Sequence, residues 1–467
     1  MSFLSLRKLV LTLAFAALHS LAWSQTFTTL LMFNGTDGAT PVDTPLVQGM
    51  DGNLYGTTLG GGGSGAGTVF RISPAGKLTT IYSFCSETNC TDGSQPYGGL
   101  VLGTDGNFYG TTSQGGADDI SGTVFKITPS GILATLHSFD NADGAASRAP
   151  MILGADGNFY GITQNGGPHN SGTVFKITPK GTFTSLHSFG PGDGSDPNGP
   201  LMQASDGNFY STAEIGGALG YGSIFKVTPS GIFTTFHSFS STDGSAPAGG
   251  LIQAGDGNLY GTTYQGGAFN TCPNGCGTVF KISLAGVLTT IANLESSGPA
   301  NPIAALIQAT DGNFYGTSYA GGSAGDWGTL FEVTPSGSLT TLHSFDGNDG
   351  AQPYGPVTQN TNGYLYGSAT NGLGTAAQGT LFRETTQLVP FVRFILSRGR
   401  VGQKIGILGQ GFQSATNVSF NETTASFTVR SNTFLIATVP SGAHSGFVKV
   451  TTASGTMQSN VAFQVMP

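Results

Sequence analysis

The sequence predicts an all-β protein: a seven-bladed β-propeller closed by its N-terminal strand and followed by an immunoglobulin-like β-sandwich. Three observations support this prediction. A motif of the form Asp/Asn-Gly-x-Leu/Phe-Tyr occurs seven times at intervals of about 50 to 55 residues, a length that suits a four-stranded blade. A third segment of the repeat, which ends in Phe, has its first copy ahead of the first motif. From about Leu388 the period gives way to short strands separated by glycine turns.

The first residues resemble a secretory signal peptide. Arg7 and Lys8 precede an apolar run, and small residues at Ala22 and Ser24 predict cleavage before Gln25. We therefore assign residues 1–24 to the signal and expect a secreted, periplasmic or cell-surface protein, with an uncleaved anchor as the alternative. The formal net charge of -8 argues against binding to nucleic acid or anionic lipid.

Composition favours strands and tight turns. The chain has 467 residues, of which 75 are Gly, and only 9% are charged. It is too long for one ordinary domain, but repeats that bury a core between neighbours can make residues 25–387 a single domain. No long polar tract or collagen period is present, so the composition argues against disorder as the general state.

Four cysteines occur as two close pairs, Cys85 with Cys90 and Cys272 with Cys276. In an oxidising compartment each pair is expected to form a disulfide that closes a small loop, worth about 2 kcal/mol. A zinc site is the alternative, although no His lies beside either pair.

The second repeat shows how one unit is expected to fold. An inner strand at Leu100–Leu102 leads through an Asp-Gly turn to a strand at Asn107–Thr112, and these are followed by strands at Gly122–Ile127 and Ile132–Phe139. The motif tyrosines and third-strand phenylalanines are expected to form the core between blades. They are Tyr55, Tyr109, Tyr160, Tyr210, Tyr260, Tyr315 and Tyr366, and Phe70, Phe125, Phe175, Phe225, Phe280, Phe331 and Phe382.

The last unit lacks an outer strand, because the pattern stops after Phe382. The displaced copy at Phe27–Phe33 is expected to supply that strand and close the ring. An open β-solenoid is the alternative, but it would leave strand edges exposed.

Two family resemblances follow from these motifs. The runs D-G-N-F-Y-G-T-T, G-T-V-F-K-I-T-P-S-G and L-H-S-F resemble the GloVer tandem repeat of bacterial choice-of-anchor proteins over Phe27 to Phe382. This resemblance implies an exported protein of a family without an assigned biochemical role. Residues 388–467, with G-Q-G-F and A-T-V-P, resemble an IPT/TIG domain, which implies a spacer or a module that contacts protein or glycan.

Candidate ligand-binding residues lie where the repeat varies. Four residues after each motif Tyr, beside a Gly-rich loop, the side chain differs from unit to unit, as expected for a rim position on a constant scaffold. Neutral drift on an exposed loop is the alternative. The predicted ligand-binding residues are Tyr264, Tyr319 and Trp327 as an aromatic platform for sugar, with Asp326, Glu214 and Gln164 as polar contacts.

Two further sets of side chains recur at equivalent positions in most units. We call them near-rings and interpret them as structural. His137, His187, His237 and His343 occupy equivalent places on the outermost strand, too far from the axis for a metal ring. Aspartates followed by Gly recur before the inner strand and are expected to shape turns, with Ca²⁺ binding as the alternative. They are Asp37, Asp92, Asp143, Asp193, Asp243 and Asp349.

The sequence favours a monomeric, non-catalytic binding or adhesion protein that contacts glycan or another protein through the propeller loops. It contains no nucleophile elbow, H-E-x-x-H, Walker or dinucleotide motif, and no cofactor is expected. The alternative is a secreted propeller enzyme, a polysaccharide lyase or glycoside hydrolase, using rim carboxylates such as Asp118, Asp119 and Glu214.

Overall fold

A computed structural model describes residues 25–42, 45–268, 271–374 and 377–466. The predicted signal peptide at 1–24 lies outside the described residues. Within them the protein is almost entirely β, with short 3-10 helices at Thr88–Cys90 and Phe412–Ser414. In this part of the chain, no helix has both the length and the apolar character needed to cross a membrane.

The repeats form four-stranded antiparallel sheets in which sequence order is also spatial order. The first described strand is β1 (Thr26–Met32). The first three sheets contain β2 (Val47–Gln48), β3 (Leu54–Thr58), β4 (Thr68–Ile72) and β5 (Leu78–Ser83); β6 (Val101–Leu102), β7 (Phe108–Thr111), β8 (Thr123–Ile127) and β9 (Leu133–Ser138); and β10 (Ile152–Leu153), β11 (Phe159–Thr163), β12 (Thr173–Ile177) and β13 (Phe183–Ser188). Each predicted strand boundary in the second unit is within one residue of the observed one.

The next three sheets repeat the same order. They contain β14 (Met202–Gln203), β15 (Phe209–Ala213), β16 (Ser223–Val227) and β17 (Phe233–Ser238); β18 (Ile252–Gln253), β19 (Leu259–Thr263), β20 (Thr278–Ile282) and β21 (Leu288–Asn293); and, after β22 (Pro299–Ala300), β23 (Ile307–Gln308), β24 (Phe314–Ser318), β26 (Thr329–Val333) and β27 (Leu339–Ser344). The short strand β22 pairs with β25 (Ala320–Gly321) in a ribbon of its own.

The seventh sheet joins the two ends of the repeat region. Its strands from inside to outside are β28 (Thr358–Gln359), β29 (Leu365–Ala369), β30 (Thr380–Thr385) and then β1. The antiparallel register pairs Thr26 with Thr385 and Met32 with Thr380. The N-terminal segment therefore supplies the missing outer strand, as the displaced motif copy predicts.

The motif tyrosine of every unit is buried and hydrogen-bonded to its own turn. In the first six sheets the Tyr Oη donates to the Asp carboxylate four residues earlier at 2.8 to 2.9 Å. In the seventh sheet the Nδ2 of Asn362 donates to the Oη of Tyr366 at 3.0 Å. Because a buried hydroxyl needs a partner, the turn residue and the tyrosine depend on each other.

The electrostatics of the second turn show this coupling. Burial, followed by the hydrogen bond to Asp105, raises the pKa of Tyr109 to about 12. Burial alone would raise the pKa of Asp105, but hydrogen bonds from Lys126, Asn107 and Tyr109 outweigh it and lower that pKa to about 2. The carboxylate is therefore charged and the phenol neutral over the whole physiological range.

The Gly that follows the motif tyrosine makes room for the third-strand phenylalanine of the same sheet. A Cβ at Gly110 would lie 2.6 Å from Cζ of Phe125, and one at Gly367 would lie 2.4 Å from Cζ of Phe382. A real Cβ does not tolerate such contacts unless the ring shifts, so the repeated Phe favours Gly here, and Ser211 in the fourth unit is the exception.

Consecutive sheets share buried clusters, and the clusters run in a closed circle. Tyr55 packs on Phe108 with ring centroids 4.1 Å apart and the rings tilted, and Tyr109 stacks on Phe159 at 3.9 Å. One cluster joins the seventh sheet to the first, where Tyr366 and Leu381 pack with Leu54 and Phe70. The aromatic rows are therefore the core between sheets, as expected.

All four cysteines form disulfides, Cys85 with Cys90 and Cys272 with Cys276. The first closes the loop after β5, and the second lies in the connection between β19 and β20. The pairing is the one expected from the spacing, and it leaves no thiol available as a zinc ligand.

The C-terminal module contains two four-stranded sheets around one core. Its strands are β31 (Arg393–Phe394), β32 (Arg398–Arg400), β33 (Lys404–Leu408), β34 (Asn417–Phe420), β35 (Thr423–Thr424), β36 (Phe427–Val429), β37 (Phe434–Thr438), β38 (Val448–Thr452), β39 (Gly455–Gln458) and β40 (Gln464–Met466). The sheet orders are β31-β33-β37-β36 and β35-β34-β38-β39, and β32 pairs in parallel with β40.

The module is fixed to the turns of the first and seventh sheets. The hydroxyl of Thr433 donates to the Met50 carbonyl at 2.9 Å, and the Phe391 amide donates to the Thr361 carbonyl at 3.1 Å. Leu408 and Phe434 also join the cluster between the first and second sheets. The module therefore lies across one end of the ring of sheets.

One buried acid interrupts the apolar pattern of the seventh sheet. Glu384 occupies the third-strand position that is Ile or Val in the six other sheets, pairs with Phe27 of β1, and is 1% exposed. Its Oε2 has no hydrogen-bond partner among the described residues. Burial raises its pKa to about 7, and the neighbouring His343 opposes that shift.

Deletion of residues 25–33 should remove the outer strand of the seventh sheet and open the ring. We expect loss of the single cooperative unfolding transition, or destabilisation by at least ~3 kcal/mol from lost apolar burial and hydrogen bonds. Differential scanning calorimetry would measure this change. A peptide of residues 26–33 should restore the transition, whereas a scrambled peptide should not. An unchanged transition in the deletion variant would contradict the closing role of β1.

Substitution of Glu384 by Val should make folding less dependent on pH. The pKa in the folded state lies above the ordinary value of 4.5, so the protein loses stability as pH rises from about 5 to 8. At pH 8, E384V should be more stable than the parent by about 1 to 3 kcal/mol. Denaturant unfolding at several pH values would test this, with the exposed Glu295 as an E295Q control. If the unfolding free energies of E384V and the parent change equally with pH, the prediction is wrong.

Candidate ligand-binding site

The seven inner strands surround a central channel with a narrow waist. The waist position of every unit is Gly, Ala or Pro. These residues are Pro45, Gly99, Pro150, Pro200, Gly250, Ala305 and Pro356. A Cβ at Gly99 would lie 2.6 Å from Cδ of Pro45, and one at Gly250 would lie 2.5 Å from Cγ of Pro200. The waist therefore separates an upper chamber from a lower chamber next to the C-terminal module.

The upper chamber is a cavity of about 350 Å³ at the end of the channel away from the module. Aromatic and polar side chains from six successive units line it. They are Tyr97, Arg148, Asn198 and Glu214, Tyr264, Tyr319, and Tyr354. This combination of several aromatic faces with a few polar groups is typical of a small-molecule site.

Three tyrosines form a connected aromatic wall. The rings of Tyr97 and Tyr354 meet edge to face with centroids 6.4 Å apart, and those of Tyr319 and Tyr354 at 6.1 Å. The guanidinium of Arg148 lies 5.4 Å from the centroid of the Tyr97 ring. Perpendicular rings leave faces that a flat ligand can contact.

Glu214 and Asn198 form the polar side. The Nδ2 of Asn198 donates to Oε2 of Glu214 at 2.9 Å. Burial raises the pKa of Glu214, with a smaller contribution in the same direction from Asp196, and the Asn198 hydrogen bond partly offsets it. Burial also raises the pKa of Tyr264, and the nearby Tyr319 and Glu214 add to that shift.

Backbone hydrogen bonds hold the rim residues in place. The amides of Glu214, Tyr264 and Tyr319 donate to the carbonyls of Asp196, Ala246 and Asn301 at 3.1, 3.0 and 3.2 Å. These acceptors have left-handed backbone conformations, with φ of 59°, 52° and 53°. The same local geometry recurs from unit to unit, so the loops present different side chains from equivalent backbone positions.

The repeats match one protein family model. The Gloeobacter/Verrucomicrobia repeat model matches residues 17–205, 85–275 and 202–411, which together cover most of the chain. The chain belongs to the Gloeobacter/Verrucomicrobia repeat family. No curated protein matches it.

Solved structures resemble this member of the repeat family at low identity. A fungal alcohol oxidase of the AA5 family, solved with copper, is 13% identical with a TM-score of 0.52, and the match covers 95% of this chain and 99% of that chain. A gluconolactonase from Xanthomonas campestris is 12% identical, with a TM-score of 0.42 and coverage of 79% and 92%. A luciferin-regenerating enzyme is 10% identical, with a TM-score of 0.41 and coverage of 79% and 98%. The first likeness shows a propeller-like fold and nothing about chemistry.

Only half of the ligand-binding residues predicted from the sequence line the upper chamber. Glu214, Tyr264 and Tyr319 line the upper chamber, whereas Trp327, Asp326 and Gln164 are not among its lining residues. Trp327 packs on the cluster between the sixth and seventh sheets. Asp326 Oδ1 accepts a hydrogen bond from the Gly321 amide, and Gln164 Nε2 donates to Oδ1 of Asp196.

The carboxylates considered for catalysis are not brought together. Asp118 accepts hydrogen bonds from the amides of Ile120 and Ser121 within its own loop. Burial opposes but does not cancel the hydrogen bonds from the Ser121 hydroxyl and from these amides, which lower the pKa of Asp118. Neither Asp118 nor Asp119 lines the chamber that contains Glu214.

The four histidines pair with four of the six aspartates that precede the inner strands, while Asp92 accepts a hydrogen bond from Tyr82 and Asp37 from the Asn34 amide. His137, His187, His237 and His343 bond through Nε2 to Asp143, Asp193, Asp243 and Asp349 at 2.7, 3.2, 3.1 and 2.6 Å. The His137 ring also stacks on Phe183 of the next sheet with centroids 4.0 Å apart. Among the described residues, no group of three or more His, Cys, Asp or Glu side chains could hold a metal ion.

Sequence reasoning missed the residues just before the waist. Tyr97, Arg148, Asn198 and Tyr354 occupy one repeat position, two residues before the small waist residue. Alignment of the units at the waist would have shown this second variable position. Its counterpart in the first unit, Asp43, lies outside the described residues.

Proposed function

We propose that the protein is an exported, non-catalytic glycan-binding protein and that the upper chamber is its binding site. In this proposal the seven repeat sheets are the blades of a closed β-propeller, and residues 388–467 are an IPT/TIG-type sandwich that acts as spacer or second contact. The observation that carries the proposal is the set of tyrosines and polar side chains around a cavity of about 350 Å³.

The chemistry of the chamber fits a neutral sugar. Tyrosine faces pack against the C–H surfaces of a pyranose ring, and Arg148, Asn198 and Glu214 can exchange hydrogen bonds with its hydroxyl groups. The volume suits a ligand of mono- or disaccharide size. The waist limits how deeply a chain can enter, so we propose recognition of a glycan terminus.

The disulfides support export. Disulfides are stable in secreted and periplasmic proteins and are rare in the reducing cytosol. Both pairs lie in repeat units and close short loops of five and four residues in sequence separation. They are therefore consistent with a mature protein that works outside the cytoplasm.

Substitution of the chamber tyrosines should weaken sugar binding. Y264A and Y319A should each reduce affinity about 10-fold, because each removes one aromatic face worth about 1.4 kcal/mol. Isothermal titration calorimetry against a panel of short oligosaccharides would measure this loss. The exposed Tyr221 of an outer loop provides a matched Y221A control, which should bind like the parent. Equal binding by all three variants, or no binding of any glycan by the parent, would refute the assignment.

A glycan-cleaving enzyme is the second candidate, and Glu214 is the observation that favours it. A carboxyl whose pKa is raised inside a chamber has the property required of a general acid. However, Glu214 is the single carboxylate among the described lining residues, whereas the usual glycosidase mechanism needs two.

The E214Q variant distinguishes the two candidates. If the protein only binds, E214Q should change sugar affinity by less than about 10-fold, and neither protein should release reducing ends from the bound glycan. Reducing-end and unsaturated-product assays would monitor hydrolysis and elimination. Turnover by the parent that disappears in E214Q while affinity persists would replace the binding proposal with the enzymatic one.

A further inference from the structure

The lower chamber is a second cavity with different chemistry. It has a volume of about 480 Å³ and lies between the inner strands and the segment Arg393–Arg398 of the C-terminal module. Its wall is largely apolar, because Val47, Val101, Ile152 and Met202 line it from successive strands. Four of its lining residues, at the waist, also line the upper chamber, so the two cavities share one axis.

Two arginines form part of this apolar enclosure. Arg393 and Arg398 both line the chamber, and the described residues provide neither side chain with an ion pair or hydrogen bond. The Arg393 side chain is exposed to solvent where it lines the chamber, and desolvation by the surrounding protein atoms lowers the pKa of its guanidinium. Burial also lowers the pKa of Arg398.

Two cations that line an apolar chamber without a counter-ion favour an anionic ligand. A partly desolvated guanidinium is more stable when an anion or a set of hydrogen bonds compensates its charge. The same enclosure strengthens the attraction to an anion, because the effective dielectric constant is lower than in water.

We propose that the lower chamber binds an organic carboxylate with an apolar chain of medium length. The carboxylate pairs with Arg393 and Arg398, whose planar guanidinium groups match its two oxygens. The apolar chain of the ligand packs against side chains of the inner strands. A small inorganic anion would leave these side chains uncovered. The volume of the chamber suits a chain of medium length.

A side cleft provides a route for such a ligand. A neighbouring cavity shares Ala155, Ile395 and Leu396 with the lower chamber and continues past Gly157 and Lys404 toward the surface. The hydrogen bonds that fix the module run to the first and seventh sheets, and this cleft lies beside the second and third. The ligand would therefore enter without passing the waist or the glycan chamber.

Titration with octanoate tests the proposal. Calorimetry on the full mature chain should show binding of octanoate, with at least 10-fold weaker binding of acetate, inorganic phosphate and 1-octanol. Acetate and phosphate lack the chain, and octanol lacks the charge. Binding of phosphate as tight as that of octanoate would identify a simple anion site and overturn the proposal, as would equal binding of octanol or no binding of octanoate.

Arginine variants locate the site. R393Q and R398Q should each weaken octanoate binding about 10-fold, while the exposed Arg400 of the same β32 region gives an R400Q control with the same change in net charge. Thermal unfolding would verify that each variant is folded. If R393Q does not fold, R398Q still tests the site. Equal loss in R400Q would indicate a general charge effect and contradict the proposal. Sugar binding in the upper chamber should be unchanged in all three variants. The experiment therefore tests the carboxylate site independently of the glycan site.

Discussion

The pairing of β1 with β30 is the constraint on which the rest of the structure depends. Every other repeat sheet takes its outer strand from its own unit, whereas the seventh takes it from the opposite end of the repeat region. This exchange allows the cluster of Tyr366 and Leu381 with Leu54 and Phe70 to form. Without it the first and seventh sheets would have unpaired faces, and the channel with its waist and two chambers would lose its wall.

Repetition determined how much could be predicted. The turn, the second-strand Tyr and the third-strand Phe recur in register, so strand order, core and closure could be read from spacing. The upper chamber was only half predicted, because Glu214, Tyr264 and Tyr319 follow the motif directly while Tyr97 and Arg148 lie in loops of variable length. The lower chamber could not be predicted, since it arises from contact between the repeats and Arg393–Arg398 of a module with no repeat.

The two near-rings show how a correct interpretation can remain incomplete. The histidines are half-buried strand residues, as expected, and the aspartates shape their loops through bonds such as that from the Asp140 amide to Asp143. Sequence spacing alone did not show that His137 and Asp143 are partners. Their pairing requires the loop after the outer strand to fold back, so that Asp143 reaches His137 on that strand. The pair also orients the imidazole that stacks on Phe183, so polar and aromatic contacts between sheets are coupled.

The geometry of the closing strand has a mechanical consequence. Thr26, where the chain enters the seventh sheet, pairs with Thr385, where the chain leaves it for the module. A pull between Gln25 and Leu388 is therefore applied at one end of the β1–β30 ladder, across its hydrogen bonds, and breaks them one after another. A ladder pulled lengthwise would have to break them together. Under tension the ring is therefore expected to open at this seam one hydrogen bond at a time.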